Sequence, residues 1–300
     1  MVIALFFLFG LIIGSFLNVC ITRIPEGLSI VSPGSRCPQC ETPIKAYDNV
    51  PVLAWLWLRG KCRACGHPIS SMYPAIELLT GFLFVACFLT FGLQPETFKW
   101  LFFVSLMVIL IVTDFRARIL PDAVNFFGFG LGLALSVRLG PIDPACLRIV
   151  DRFPILARNP SILGVTCAVL GAAAGSLLLL AAATLYKLVR GREGMGMGDV
   201  KMMLMVGTFL GIQGTFLTLL FGTLLGSIVG LLLVVVLFLT GWKSKVAERA
   251  SRKGLGSVSG LRWTISSRYQ LPLGTFLGIA ALLVVFFSRW IDMQAYRFMR

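Results

Sequence analysis

Apolar runs of roughly 20 residues recur along this chain of 300 residues, and they restrict its folding more than any other feature. A helix of that length spans the hydrocarbon of a bilayer. In lipid the backbone must bond to itself, and the runs lack the alternation of a membrane barrel, so helices are expected. Charged residues make up only 13% of the chain, against about 25% in an ordinary soluble domain. The runs fall at 2–20, 74–92, 98–114, 122–138, 162–188, 199–212, 215–240 and 272–290. The sixth is short for a crossing and starts close to the polar segment before it. The expected fold is all-α: a polytopic membrane helix bundle of about eight transmembrane helices, with a small loop domain.

Residues 1–17 are apolar, but no basic region precedes them and no A-x-A-like cleavage site follows. They read as a first span and not as a removable signal. Leu17-Asn18-Val19-Cys20 makes a poor lipoprotein processing site, because Val19 is larger than the small residue expected before such a cysteine.

The net charge of +14 does not signal nucleic acid. The basic residues flank apolar runs and form no single patch with aromatic platforms. They report topology instead. Arg23, Arg36, Lys45, Arg59, Lys61 and Arg63 fall in the loop 21–73, with Arg116 and Arg118 in 115–121. Lys187, Arg190, Arg192 and Lys201 surround the next alternate loop, and seven more occupy 241–271. Together these hold nineteen of the 27 basic residues, which puts loop 21–73 in the cytoplasm and both termini outside. The external segment 139–161 is the exception, with Arg138, Arg148, Arg152 and Arg158 at or near it.

Glycines recur four apart at Gly10/Gly14, Gly171/Gly175, Gly207/Gly211 and Gly222/Gly226/Gly230. In lipid such spacing lets helix backbones approach closely, and packing within the chain is expected before a dimer interface.

Two C-x-x-C pairs, Cys37/Cys40 and Cys62/Cys65, stand 21 residues apart. Each can present two thiolates to one ion, and two such knuckles complete a tetrahedral zinc shell. A cytoplasmic location argues for metal over disulfides. A closed four-cysteine site leaves no position for water, so the zinc would be structural and would fold a loop too short to build a core. The competing reading is four free or redox-active thiols. His67 lies near the second knuckle and reads as a bystander. Cys20, Cys87, Cys146 and Cys167 are isolated in sequence and read as small hydrophobes.

Asp114 and Asp199 are the candidate catalytic residues. The chain has thirteen acidic residues, and an ionisable group at the edge of an apolar span is costly. Asp114 follows the apolar run 101–112, and Asp199 closes Gly194-Met195-Gly196-Met197-Gly198-Asp199 before another. The topology puts both at the cytoplasmic face. Two carboxyls sharing one site titrate apart, so one can act as base on a water while the other polarises a carbonyl. A glycine-rich stretch lets a substrate strand come close. Alone, Asp114 reads as an interfacial charge paired with Arg116 or Arg118, and Asp199 as a helix N-cap. Asp122, after Pro121, reads as a cap, and Lys201 as an interfacial anchor.

The chain resembles the type IV prepilin peptidases, the leader peptidases of pilus and type II secretion systems. The resemblance rests on G-S-F-L-N-V-C-I-T-R-I-P at 14–25, both knuckles, D-N-V-P-V-L-A-W-L-W-L-R-G at 48–60 and Y-P-A-I-E-L-L-T-G at 73–81. It continues through Asp114 and Asp122 flanking Leu120-Pro121, and G-M-G-M-G-D-V-K at 194–201. The resemblance implies a G-x-G-D aspartyl protease of the bacterial inner membrane, with Asp114 and Asp199 as its pair. It implies cleavage of a short basic leader after glycine in prepilins or pseudopilins, then N-methylation of the new N-terminal residue from S-adenosylmethionine. Domains would run 1–20 as first helix, 21–73 as the zinc-binding, methyltransferase-associated loop and 74–300 as the peptidase bundle. Met72 stands where many relatives have arginine, which bears on the methyltransferase. The alternatives are a peptidase without methyl transfer, a proton-coupled transporter using the aspartates as relays, and a membrane scaffold.

Overall fold

The computed structural model describes residues 1–191, 196–239 and 271–298. Gly194, Met195, Arg192 and the seven basic residues expected to mark segment 241–271 lie outside the described residues. Among the described residues ten α-helices follow in order: α1 (Val2–Arg23), α2 (Leu53–Trp57), α3 (Met72–Phe91), α4 (Pro95–Ala117) and α5 (Asp122–Leu139), then α6 (Pro144–Val150), α7 (Pro154–Ala157), α8 (Pro160–Arg190), α9 (Met197–Leu239) and α10 (Leu273–Phe298). Among the described residues there is no strand beyond two isolated bridges in the cysteine loop.

Six of these helices are long and apolar enough to cross a membrane, and α10 adds the apolar stretch Leu273–Phe287. Their ends follow local chemistry. Pro95, Pro144 and Pro160 open α4, α6 and α8 at the first turn, where no amide bond is lost. Asp143 and Asn159 cap the latter two through the amides of Cys146 and Ser161.

The expected spans 199–212 and 215–240 merge in α9, which breaks at Gly211 with φ 70° and ψ −168°. There the chain doubles back. Gly175 of α8 faces both Met203 before the break and Thr215 after it, so the two arms run side by side. Only glycine takes this backbone without strain. A side chain at 211 would also strike the Asp143 carboxyl and the Pro141 carbonyl. Among the described residues the bundle thus has eight packed segments in seven long helices, the first arm of α9 being the short one.

The glycine spacing serves packing within the chain. Gly10 and Gly14 meet α3 at Gly81, Thr80 and Glu77, and Gly171 meets the α9 backbone at Gly207 and Gly211. The aromatic pairs Phe6–Phe88 (4.8 Å), Phe91–Trp100 (5.6 Å) and Phe103–Phe209 (5.0 Å) join α1 to α3, α3 to α4 and α4 to α9. The core centres on α4 and α9, with Phe84, Phe103, Met107, Leu110, Met203 and Phe209 fully enclosed.

These pairings separate two faces. The end of α4, the starts of α5, α9 and α10 and the cysteine loop share one. The break in α9, the end of α5 and the segment 139–159 share the other. On that second face the sequence expectation for Cys146 and Cys167 is corrected: they form a disulfide joining α6 to α8. Residues isolated in sequence are brought together because α6 folds back onto the first turns of α8. Asp143 adds a second tie, accepting the amides of Cys146 at 2.6 Å and Gln213 at 2.9 Å, the latter just beyond the break.

Two changes test this second face. Reducing the disulfide should lower unfolding stability by about 3 kcal/mol, as expected for closing a loop of this length. Gly211→Ala should cost about 1–3 kcal/mol through positive φ alone, before its clash is counted. Denaturation in detergent, with and without reductant, measures both.

Candidate active site and cysteine cluster

Asp114 sits in the last turn of α4, which continues to Ala117 because Arg118 closes it in the left-handed region, its amide returning to the Asp114 carbonyl. Asp199 is the third residue of α9, within the first turn. It is not the N-cap that its sequence position allowed. Negative charge there is favoured by the helix dipole. Both residues are at least nine-tenths buried, Asp114 at 5% exposure and Asp199 at 9%.

The residue that holds Asp114 was not apparent from sequence. Thr275, in the first turn of α10, donates both its amide (2.6 Å) and its hydroxyl (2.9 Å) to Asp114 Oδ2. Gly274 makes this approach available, since a Cβ there would lie 3.1 Å from the same oxygen. Leu120 packs against both Gly198 and Gly274, closing the gap between the segments that carry the two aspartates. A threonine in an apolar helix reads as a helix-filling residue, whose hydroxyl usually returns to its own backbone.

Asp122 departs from the expected cap. It is the first residue of α5, makes no side-chain cap bond and accepts Lys201 Nζ at 2.6 Å. Lys201 is therefore more than an anchor: it joins the starts of α5 and α9 and lies over the Phe126 ring.

On the same face, the four sulfurs of Cys37, Cys40, Cys62 and Cys65 all lie within 4.8 Å of one another. Cys37–Cys65 are 3.8 Å apart and Cys40–Cys62 4.0 Å. A regular tetrahedron with Zn–S bonds near 2.3 Å has edges of about 3.8 Å, so the residues fit zinc. The two knuckles repeat one geometry. Cys37 O accepts the Glu41 amide, Cys62 O accepts the Gly66 amide, and both turns pass through positive φ. The Thr42 hydroxyl and main chain hold the Cys40 thiol down to about 6, and Cys62 is lowered by the Cys65 and Ala64 amides. Such donors suit thiolate ligands. His67 takes part through its main chain, its carbonyl accepting the Cys62 amide.

The loop is docked onto the membrane helices. Buried Glu77 of α3 accepts the Val52 amide at 2.7 Å, and where the loop enters α3 Asn18 of α1 donates to the carbonyl of Tyr73 in its first turn at 3.1 Å. Arg63 grips Asp48 through two nitrogens and holds its carboxyl below the usual range, tying the second knuckle to the segment before α2.

Two buried aspartates at one face of a helix bundle, beside a four-cysteine loop, are the arrangement expected of the membrane-embedded aspartyl protease class. Residues 8–91 match the Bacterial Peptidase A24 N-terminal domain and residues 101–231 the Type IV leader peptidase family. Relatives named prepilin leader peptidase/N-methyltransferase include one from Myxococcus xanthus, 40% identical over 76% of this chain and 62% of its own length. Another from Aeromonas hydrophila is 35% identical over 78% of this chain and 81% of its own. One from Bacillus subtilis is 35% identical over 76% and 82%. The chain belongs to the type IV leader peptidase family. No solved structure matches it.

Thr275→Val should keep the amide bond to Asp114 and lose the hydroxyl bond. Turnover of a cleavable substrate should fall roughly tenfold with KM little changed, the value of one hydrogen bond to a charged group. Serine at 275 should restore most of it.

Proposed function

We propose that the chain is a prepilin peptidase of the bacterial inner membrane that cuts the leader after glycine at the cytoplasmic face. Asp114 and Asp199 are the groups that do the chemistry. The single observation that carries this reading is that two buried aspartates, 85 positions apart in sequence, lie at one end of the bundle on segments that Leu120 bridges.

Oδ2 of Asp114 already accepts two donors, an arrangement suited to a carboxylate, so Asp114 takes the base's part. It removes a proton from a water held between the pair while Asp199, as the acid, donates to the scissile carbonyl oxygen. The water oxygen bonds to the carbonyl carbon; as the C–N bond then breaks, the proton on Asp114 passes to the leaving amine and one hydroxyl proton of the tetrahedral intermediate returns to Asp199 as the carbonyl re-forms. Asp114→Ala or Asp199→Ala should lower cleavage of a purified prepilin by about 10³-fold or more. Undiminished cleavage by either variant would remove the dyad.

Two faces of unlike redox character support the orientation. The cysteine cluster is unpaired while Cys146 and Cys167 at the opposite end are joined, as expected for cytoplasm and an oxidising exterior. On this reading 1–20 is the first helix, 21–73 the loop domain and 74–300 the peptidase bundle.

N-methylation from S-adenosylmethionine extends the same reading, supported by relatives named for both activities. The zinc would order the loop domain and supply no chemistry, since four sulfurs fill its shell. Cys62→Ser should abolish stoichiometric zinc, measured by metal analysis, and abolish methyl transfer to the mature pilin. Prepilin cleavage should persist. Equal loss of both activities would place the loop inside the peptidase machinery.

A further inference from the structure

A cavity of about 330 Å³ opens on the face opposite the dyad, among the start of α4, the end of α5 and the break in α9. One wall is apolar, made by Trp100, Phe209 and Leu217. The other carries three ionisable residues: Glu96, Lys99 and Asp143. Lys99 is only 4% exposed, yet it is a charge-bearing side chain near the start of a membrane helix. Its ammonium donates to the Leu139 carbonyl at 3.0 Å and lies 4.6 Å from the centre of the Trp100 ring. Both Leu139 and Trp100 line the cavity, so the ammonium sits at its wall. An ammonium has three donors, and one carbonyl uses one of them.

A buried cation in a low-dielectric wall requires a counter-charge. Glu96, at the exposed rim, acts on Lys99 through its charge from one side only, and Asp143 is already engaged by the Cys146 and Gln213 amides. Taken together the three groups present one positive and two negative charges around a space of ligand size. A simple anion meets two carboxylates as well as Lys99, and a simple cation meets Lys99 as well as the carboxylates. The pattern fits a ligand carrying a phosphate and an ammonium a few bonds apart.

We propose that this cavity binds the headgroup of a zwitterionic phospholipid from the outer leaflet. The phosphate lies against Lys99, and a primary ammonium lies against Glu96 and the outward side of Asp143. The acyl chains leave along the apolar wall. About 15 residues of α4, some 22 Å of helix, separate Lys99 from Asp114, so the site is remote from the peptide-cutting face. It depends on the membrane-spanning fold and not on the proposed protease activity.

Thermal unfolding of the full chain in mild detergent, titrated with short-chain lipids, tests this. Phosphatidylethanolamine should stabilise the wild type at roughly tenfold lower concentration than phosphatidylglycerol, which has the phosphate without the ammonium. Lys99→Gln should lose the response to both. Glu96→Gln, at an exposed position that leaves the fold intact, should bind the two lipids equally. Stabilisation by phosphatidylglycerol equal to or above that by phosphatidylethanolamine would overturn the proposal. So would the same effect from inorganic phosphate or free phosphoethanolamine, which would make the site one for a soluble ion. Should Lys99→Gln fail to fold, an unchanged lipid preference in Glu96→Gln overturns it alone.

Discussion

A carboxyl at the edge of a bilayer is tolerated only where the protein itself supplies the hydrogen bonds that water would have given. At Asp114 that supply comes from one residue, Thr275, whose amide and hydroxyl both reach Oδ2. The arrangement requires α10 to begin where α4 ends, which in turn requires Gly274 at the contact and Gly278 beside Ile111 one turn further along. The chain's last described helix is therefore part of the site, although it lies beyond residues 101–231 that match the peptidase family. Asp199 arrives from a third direction, at the start of α9, and Leu120 fills the space between the backbones. Three helix ends and one leucine build the candidate site.

The two ends of the bundle are built from different materials. One carries a cluster of four thiols, basic side chains and the two aspartates, with its loop fixed by Glu77 and Asn18. The other is held by a covalent bond between Cys146 and Cys167, by Asp143 and by the close backbone packing of Gly140 on Gly164. Free thiols persist in reducing surroundings and disulfides in oxidising ones, so the two ends carry cysteine chemistry of opposite preference.

What the sequence disclosed followed the range of the interaction. Spans and cysteine knuckles depend on neighbours within about 20 residues, and both were legible. The knuckle geometry repeats because each C-x-x-C turn is closed by its own next few residues. Longer-range matters were not legible. The break in α9 was expected after residue 212, but Gly207, Gly211 and Gly214 are equivalent in sequence, and contacts from Asp143 and Pro141 select Gly211. Cys146 and Cys167 looked like small apolar residues until α6 turned back on α8. Asp122 resembled a cap because Lys201, its partner, is 79 positions away. Thr275 gave no signal at all beyond one hydroxyl in an apolar run.

The reversal at Gly211 has a mechanical consequence. The first arm of α9 is pinned at its outer end by Asp143, Gly171 and the disulfide-bound loop, while its inner end carries Asp199. A rod held at one tip moves most at the other. The arm is about 20 Å long, so a swing of roughly 10° shifts Asp199 by roughly 3.5 Å, the span of a water molecule and its contacts. The pivot thus sits one arm's length from Asp199, and the enclosed Met203 and the Phe103–Phe209 contact lie between them to resist such a swing.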